Sequence, residues 1–218
     1  EKHMKYIMED IPDADYRICF VHQTDTRDFN RGAIKNCGYL IVKQMYPDTY
    51  ENITLVFNDV DTLPIAKGLF NYETNHGIVK HFYGYSFTLG GICSIKARDF
   101  EMVGGFPNLW GWGNEDYTLH TRVLSSKLKI DRSSFLPVWH KNIIHLSDGS
   151  TRLMHRNEEI ALYSNKNNCH DISNLRYHIV GNMINIEDFT TSNEFSSKNR
   201  RIRDLLRPEK KTTIPMRF

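Results

Sequence analysis

Two short segments hold the residues that can do chemistry. Residues 110–116 read Trp-Gly-Trp-Gly-Asn-Glu-Asp, and Phe57-Asn58-Asp59-Val60-Asp61 lies well upstream. The first places two flat apolar rings, two glycines and adjacent carboxylates in one stretch. Aromatic faces suit sugar rings, glycine lets backbone approach a ligand closely, and a positioned carboxylate can take a proton. The second puts two carboxylates one residue apart, just after the apolar run 53–57, where a buried strand ends. Open α/β sheets bind ligands at such strand ends, and hard oxygen donors there suit Mg²⁺ or Mn²⁺ carrying a diphosphate. Acidic turns are common in their own right, and Glu115 can serve as a helix cap. Two glycines alternating with two tryptophans have no such simple explanation. Metal, diphosphate, sugar and base together describe a glycosyl transfer site.

Positioning these groups requires strands that alternate with helices. The spacing predicts a helix over 2–9, broken at Pro12-Asp13, and a strand over 16–21. A further helix enters at 28–31 and is carried by Ala33, Ile34, Cys37, Leu40 and Ile41 as far as Pro47. A strand over 53–57 delivers Asp59 and Asp61 to a loop ending at Pro64. Strands are expected over 78–85 and over 92–95 after Gly90-Gly91, then a helix over 97–102 and a turn at Gly104-Gly105-Phe106-Pro107. Glu115 and Asp116 open the next helix, where its dipole favours carboxylates. Residues 135–145 read as another strand. The alternation implies an α/β fold with a mainly parallel sheet.

The chain has 218 residues, enough for one substantial core, and its 40% hydrophobic and 25% charged content is ordinary for a globular protein. A net charge of +2 gives no argument for nucleic acid or an anionic membrane. No stretch approaches the roughly 20 apolar residues of a membrane span, and no signal peptide opens the sequence. Cys19, Cys37, Cys93 and Cys169 lack metal-type spacing and read as buried thiols, with one or two disulfides left open. Asn52-Ile53-Thr54 matches a glycosylation acceptor. Nothing here sets an oligomeric state.

Asp59-Val60-Asp61, Gly90-Gly91, Gly104-Gly105-Phe106-Pro107 and Trp110 to Asp116 occur in the order and approximate spacing of the β-1,4-galactosyltransferase family. Chondroitin-type N-acetylgalactosaminyltransferases are its close relatives. Phe29-Asn30-Arg31 resembles the family's nucleotide-contacting segment, and the resemblance runs over residues 1–180. It implies a nucleotide-sugar transferase (GT-A) fold, Mn²⁺, a UDP-sugar donor, a glycan acceptor and inversion at the anomeric carbon. On this resemblance Asp61 ligates the metal and Asp59 holds the ribose or the metal-bound diphosphate. Asp116 is the base, Glu115 orients hydroxyls, and Trp112 touches donor and acceptor. Val60, Gly90, Gly91 and Asn114 complete the implied contacts. His145 stands at the family's spacing for a metal-binding histidine, with His140 and His155 as rivals. Asn142 replaces the usual methionine ligand with a harder oxygen donor.

Two departures bear on specificity. Tyr117 stands where many members carry an aspartate for an N-acetylglucosamine acceptor. Thr88 replaces a bulky tyrosine, leaving room for an N-acetyl group, so UDP-GalNAc joins UDP-Gal as a candidate donor. One missing contact of this kind is worth only about 1–3 kcal/mol, so both donors can work.

The family's opening strand has no counterpart ahead of Glu1, so the chain reads as a fragment lacking that strand. The compartment stays open between a soluble protein and a piece of a Golgi-type membrane-anchored enzyme. Residues 1–184 are expected to form the catalytic domain, and 185–218 a polar, basic extension. The alternative is a non-catalytic carbohydrate-binding or assembly module derived from such a transferase. A metal-dependent hydrolase would share the carboxylates but give no reason for the tryptophans.

Overall fold

The computed structural model describes residues 1–146, 149, 151–155 and 167–204. Its first half comprises α1 (Lys2–Ile7), β1 (Phe20–Gln23), α2 (Arg31–Met45), β2 (Thr54–Asn58), β3 (Thr62–Pro64), β4 (Ile78–Gly84), β5 (Ile92–Lys96) and α3 (Ala97–Met102). Then follow α4 (Glu115–Ser125), β6 (Lys129–Asp131), β7 (Leu136–Pro137), β8 (Ile143–His145), β9 (Thr151–His155), β10 (Ser173–Val180), β11 (Met183–Thr190) and β12 (Arg200–Asp204).

Helix α2 organises the molecule because two of its faces are apolar. Asn30 caps it, its side-chain oxygen accepting the Ala33 N–H at 2.9 Å. Ala33, Ile34, Cys37 and Ile41 bury against Ile184, Ile186 and Phe189 of β11 and against Trp110. Tyr39, Leu40 and Val42 face a second cluster built from Leu55, Val79, Ile95, Phe100 and Phe106. The helix therefore lies between the sheet β1-β11-β10 and the sheet β2-β5-β4-β6. Its N-terminal turn emerges where the ends of both sheets meet.

The larger sheet is mixed rather than mainly parallel. β2 and β4 both run antiparallel to β5, whereas β6 and β7 run parallel to β4. The short link over 85–91 cannot make the crossover that a parallel neighbour needs, so β5 must return antiparallel. Residues 135–145 also differ from the single strand expected. They divide into β7 and β8, separated by a turn in which the His140 N–H donates to Pro137 O. Trp139, at φ 67°, lies in that turn.

The boundary expected at residue 184 falls inside β11, whose alternating Ile184, Ile186 and Phe189 are buried. β12 then pairs antiparallel with β9, so the chain remains part of the packed structure as far as Asp204. Residues 205–218, including Lys210-Lys211, lie outside the described residues. All four cysteines are free, and burial pushes the Cys37, Cys93 and Cys169 thiols up to about 12. Among the described residues no helix is long and apolar enough to cross a membrane.

Candidate functional site

The loop before α4 is held by buried amides rather than by regular structure. Asn36, on α2, donates to Phe106 O and to Asn108 Oδ1 and accepts the Phe106 N–H. Arg122, on α4, donates to Gly105 O at 2.7 Å and to Asn167 O at 2.6 Å. Gly32 lets α2 approach this loop, because a Cβ there would lie 1.9 Å from Pro107 O. The loop then separates its two tryptophans. Trp110 is 2% exposed, stacks on Phe189 and donates its indole N–H to Asn193 O. Trp112 is 40% exposed, with the Arg152 guanidinium over its ring. Packing explains the first, and only the second is free to meet a ligand.

Gly111 lies between two segments. Its N–H donates to Phe29 O at 2.9 Å, and the Trp112 N–H donates to Leu153 O on β9. A buried Asp28–His155 pair, closed by the exposed Arg200, secures the strands behind it. His155 Nε2 bonds Asp28 Oδ2 at 2.7 Å, and the Arg200 guanidinium grips both oxygens of Asp28. Burial opposes the charge on Asp28, but Arg200 and His155 outweigh it and hold the carboxyl below its ordinary value. His155, a rival for the metal, thus has a structural partner.

Three carboxylates and two cations meet at the start of α2. Arg31 pairs with Asp59, with Glu115 and with Asp116, the last at 2.9 Å. Lys35, one helical turn further on, reaches Asp59 at 3.3 Å and Asp116 at 3.6 Å. Burial works against the charges of Arg31, Lys35 and Asp59. Asp116, Asp59 and Glu115 nevertheless raise Arg31 well above its ordinary value, and Lys35 and Arg31 hold Asp59 below the usual carboxylate range. Asp59, Glu115 and Asp116, three of the four acids named from the two sequence segments, therefore share one microenvironment.

The Gly90-Gly91 turn forms the wall behind Asp116. A Cβ on Gly90 would sit 2.3 Å from Asp116 Oδ2, so no larger residue fits with the carboxylate in place. Gly91 adopts φ 77°, and its carbonyl accepts the Asp59 N–H at 3.0 Å. His81, unremarked in the sequence, fixes this turn. Arg132 Nε donates to His81 Nδ1, so Nε2 carries the proton and donates to Gly90 O at 3.0 Å and Tyr83 O at 3.1 Å. Burial, with the Arg132 cation adding to it, outweighs the Gly90 carbonyl and pushes His81 down to about 4.

Strand register sets the backbones of Asp61 and His145 in neighbouring positions. Thr62 pairs with His145 across β3 and β8, and Asp61 O accepts the Leu146 N–H at 2.8 Å. The Tyr83 hydroxyl contacts His145 Nε2 and also accepts the Trp139 N–H at 3.2 Å, while the Trp139 ring lies 4.6 Å from the imidazole. Asn142 is tied by its backbone, its carbonyl accepting the Ile65 N–H and its N–H donating to His140 Nδ1. A carboxylate and an imidazole are donor types that suit Mn²⁺. Among the described residues no group of three His, Cys, Asp or Glu side chains forms a metal cluster.

The remaining expected residues surround these groups. Phe29, Val60 and Tyr117 are exposed, whereas Asn30 is buried as the α2 cap. Asn114 opens α4 at φ 67°, a left-handed position. The Thr88 hydroxyl turns back on its own loop, donating to Tyr85 O and accepting the Gly90 N–H.

Residues 78–146 match the family model described as the N-terminal domain of galactosyltransferase. β-1,4-Galactosyltransferase 4 of Cricetulus griseus is 35% identical over 150 residues, covering 61% of this chain and 42% of that protein. Over these residues the chain is similar to the β-1,4-galactosyltransferase family. Xylosylprotein 4-β-galactosyltransferase of Caenorhabditis elegans is 28% identical over 175 residues, covering 76% of this chain and 57% of that protein. The chain thus spans less than two thirds of these curated relatives. Among solved structures, a mutant of Drosophila β-1,4-galactosyltransferase 7 in complex with manganese, UDP-Gal and xylobiose superposes with a TM-score of 0.67. It is 19% identical, with 88% of this chain and 87% of that one covered. The architecture is therefore the GT-A type of this family, with the mixed sheet described above.

Proposed function

We propose that this chain carries the site of a metal-dependent inverting glycosyltransferase that moves galactose or N-acetylgalactosamine from a UDP-sugar to a sugar hydroxyl. The observation that carries the reading is the convergence of Asp59, Glu115 and Asp116 on Arg31, with Asp61 just ahead of β3 and His145 paired to β3 by strand register. Asp116, with Gly90 at its back, is the base that takes the acceptor hydroxyl proton. Glu115, nearly buried and held by Arg31, orients hydroxyls at the same place. Trp112 offers the ring face for a sugar, and Phe29-Asn30-Arg31 with Asp59 lies toward the nucleotide. Asp61 and His145 would hold Mn²⁺, with Asn142 as a further oxygen donor. When bound there, the metal supplies positive charge against the departing diphosphate. Thr88 leaves space for an N-acetyl group and so admits UDP-GalNAc beside UDP-Gal.

Binding tests the metal assignment separately from turnover. Asp61→Ala and His145→Ala are each expected to weaken Mn²⁺ binding, read by electron paramagnetic resonance, and Mn²⁺-dependent UDP binding, read by calorimetry, by at least about tenfold. His140→Ala should leave both unchanged. Undiminished Mn²⁺ affinity in both Asp61→Ala and His145→Ala would place the metal elsewhere.

A further inference from the structure

We propose that Lys35 is a positioning residue for the base, a role that rests on the reading of Asp116 given above. Three carboxylates meet at the start of α2, and Arg31 alone supplies one positive charge against them. Lys35 supplies the second, reaching Asp59 Oδ1 at 3.3 Å and Asp116 Oδ1 at 3.6 Å. That Asp116 oxygen is buried and has no hydrogen-bond partner, so the ammonium is the counter-charge it faces. Arg31 holds the other oxygen, Oδ2, on the side where Gly90 closes the wall. The two cations thus grip the two oxygens separately and fix the plane of the carboxylate.

The Lys35 side chain is itself confined. Its ammonium lies 4.8 Å from the centroid of the Phe106 ring, in the loop that Asn36 anchors to the same helix. Burial and the neighbouring Arg31 oppose its charge, yet Asp59, Asp116 and Glu115 prevail and raise its proton affinity. Removing the charge would leave the cluster with one cation for three acids, and Asp116 would turn away from Asp59 or draw in water. A base displaced by about 1 Å can lose a hundredfold in rate. Donor affinity should be less affected, because Asp59 keeps its pairing with Arg31.

The test compares Lys35→Gln, which removes the charge, with Lys35→Arg, which keeps it. Wild type and Asp116→Asn are measured in parallel, and the stoichiometry of UDP binding with Mn²⁺ gives the fraction of intact site. Lys35→Gln is expected to lower kcat by about 10–100-fold while UDP affinity stays within about threefold, and Lys35→Arg to retain kcat within about threefold. Near-normal kcat in Lys35→Gln overturns the proposal. So does a folded Lys35→Arg as impaired as Lys35→Gln, and Lys35→Arg alone decides if Lys35→Gln does not fold. A parallel loss of kcat and UDP affinity assigns Lys35 a merely structural part. A wild type without acceptor-dependent turnover, or one insensitive to Asp116→Asn, overturns the transferase reading itself, and the proposal with it.

Discussion

Asp116→Asn is expected to lower turnover by about 10²–10⁴-fold, the range that a positioned general base contributes, while UDP binding in the presence of Mn²⁺ is retained. The substitution keeps shape and removes the proton acceptor. It also leaves Arg31 and Lys35 facing Asp59 and Glu115, two cations against two acids, so the cluster gains no unpaired charge. Asparagine keeps the volume that packs against Gly90, and α4 loses only one of the two acids in its first turn. Loss of turnover should therefore come without loss of fold. Steady-state kinetics beside calorimetry on the same preparation checks this, and near-normal turnover would remove Asp116 from the role of base.

The second large effect is on stability in acid. His81 is neutral in the fold, held down to about 4 from 6.5, so between these values the unfolded chain binds a proton that the folded one does not. Stability then rises with pH across this window, and its His81 part is lost as pH falls from 6.5 toward 4. At pH 4.5 the loss comes to about 2–3 kcal/mol. His81→Gln, whose amide can still donate to Gly90 O, should lack this component. Urea unfolding at pH 7 and pH 4.5 measures the difference between the two proteins. Equal losses in both would show that His81 does not carry it. Protonation would also break the bond from Arg132 Nε to His81 Nδ1, so the Gly90-Gly91 wall behind Asp116 should loosen in the same window.

The elements around the site were legible wherever local pattern decides structure. Helix α2 follows from its apolar spacing, and β2 follows from an apolar run that ends at Asn58 and delivers Asp59. Asp59, Glu115 and Asp116 were named from residue type and order alone, and the structure brings them onto one arginine. What escaped depends on contacts distant in sequence. Trp110 and Trp112 look alike in the motif, and packing against α2 and against Phe189 and Phe195, all remote along the chain, makes one of them core. His81 gives no local sign, because its role is set by Arg132 and by a carbonyl across the β4–β5 turn. Lys35 did carry a signal, since a basic residue four positions after Arg31 must share its helix face. The alternation Ile184, Ile186 marks a strand with one buried face, and it was obscured by the basic residues that follow.

The central claim is transfer of a hexose from a UDP-sugar to a glycan hydroxyl, and UDP release by the full-length protein tests it most directly. The assay contains Mn²⁺ and compares UDP-Gal, UDP-GalNAc and UDP-Glc with and without a panel of simple sugar acceptors. Release is expected to rise with acceptor for UDP-Gal or UDP-GalNAc and to stay at the background rate for UDP-Glc. Activity with UDP-GalNAc would show tolerance for an N-acetyl group, the outcome that the Thr88 reading predicts. A folded protein that releases no UDP from any donor, with or without acceptor, would contradict the account.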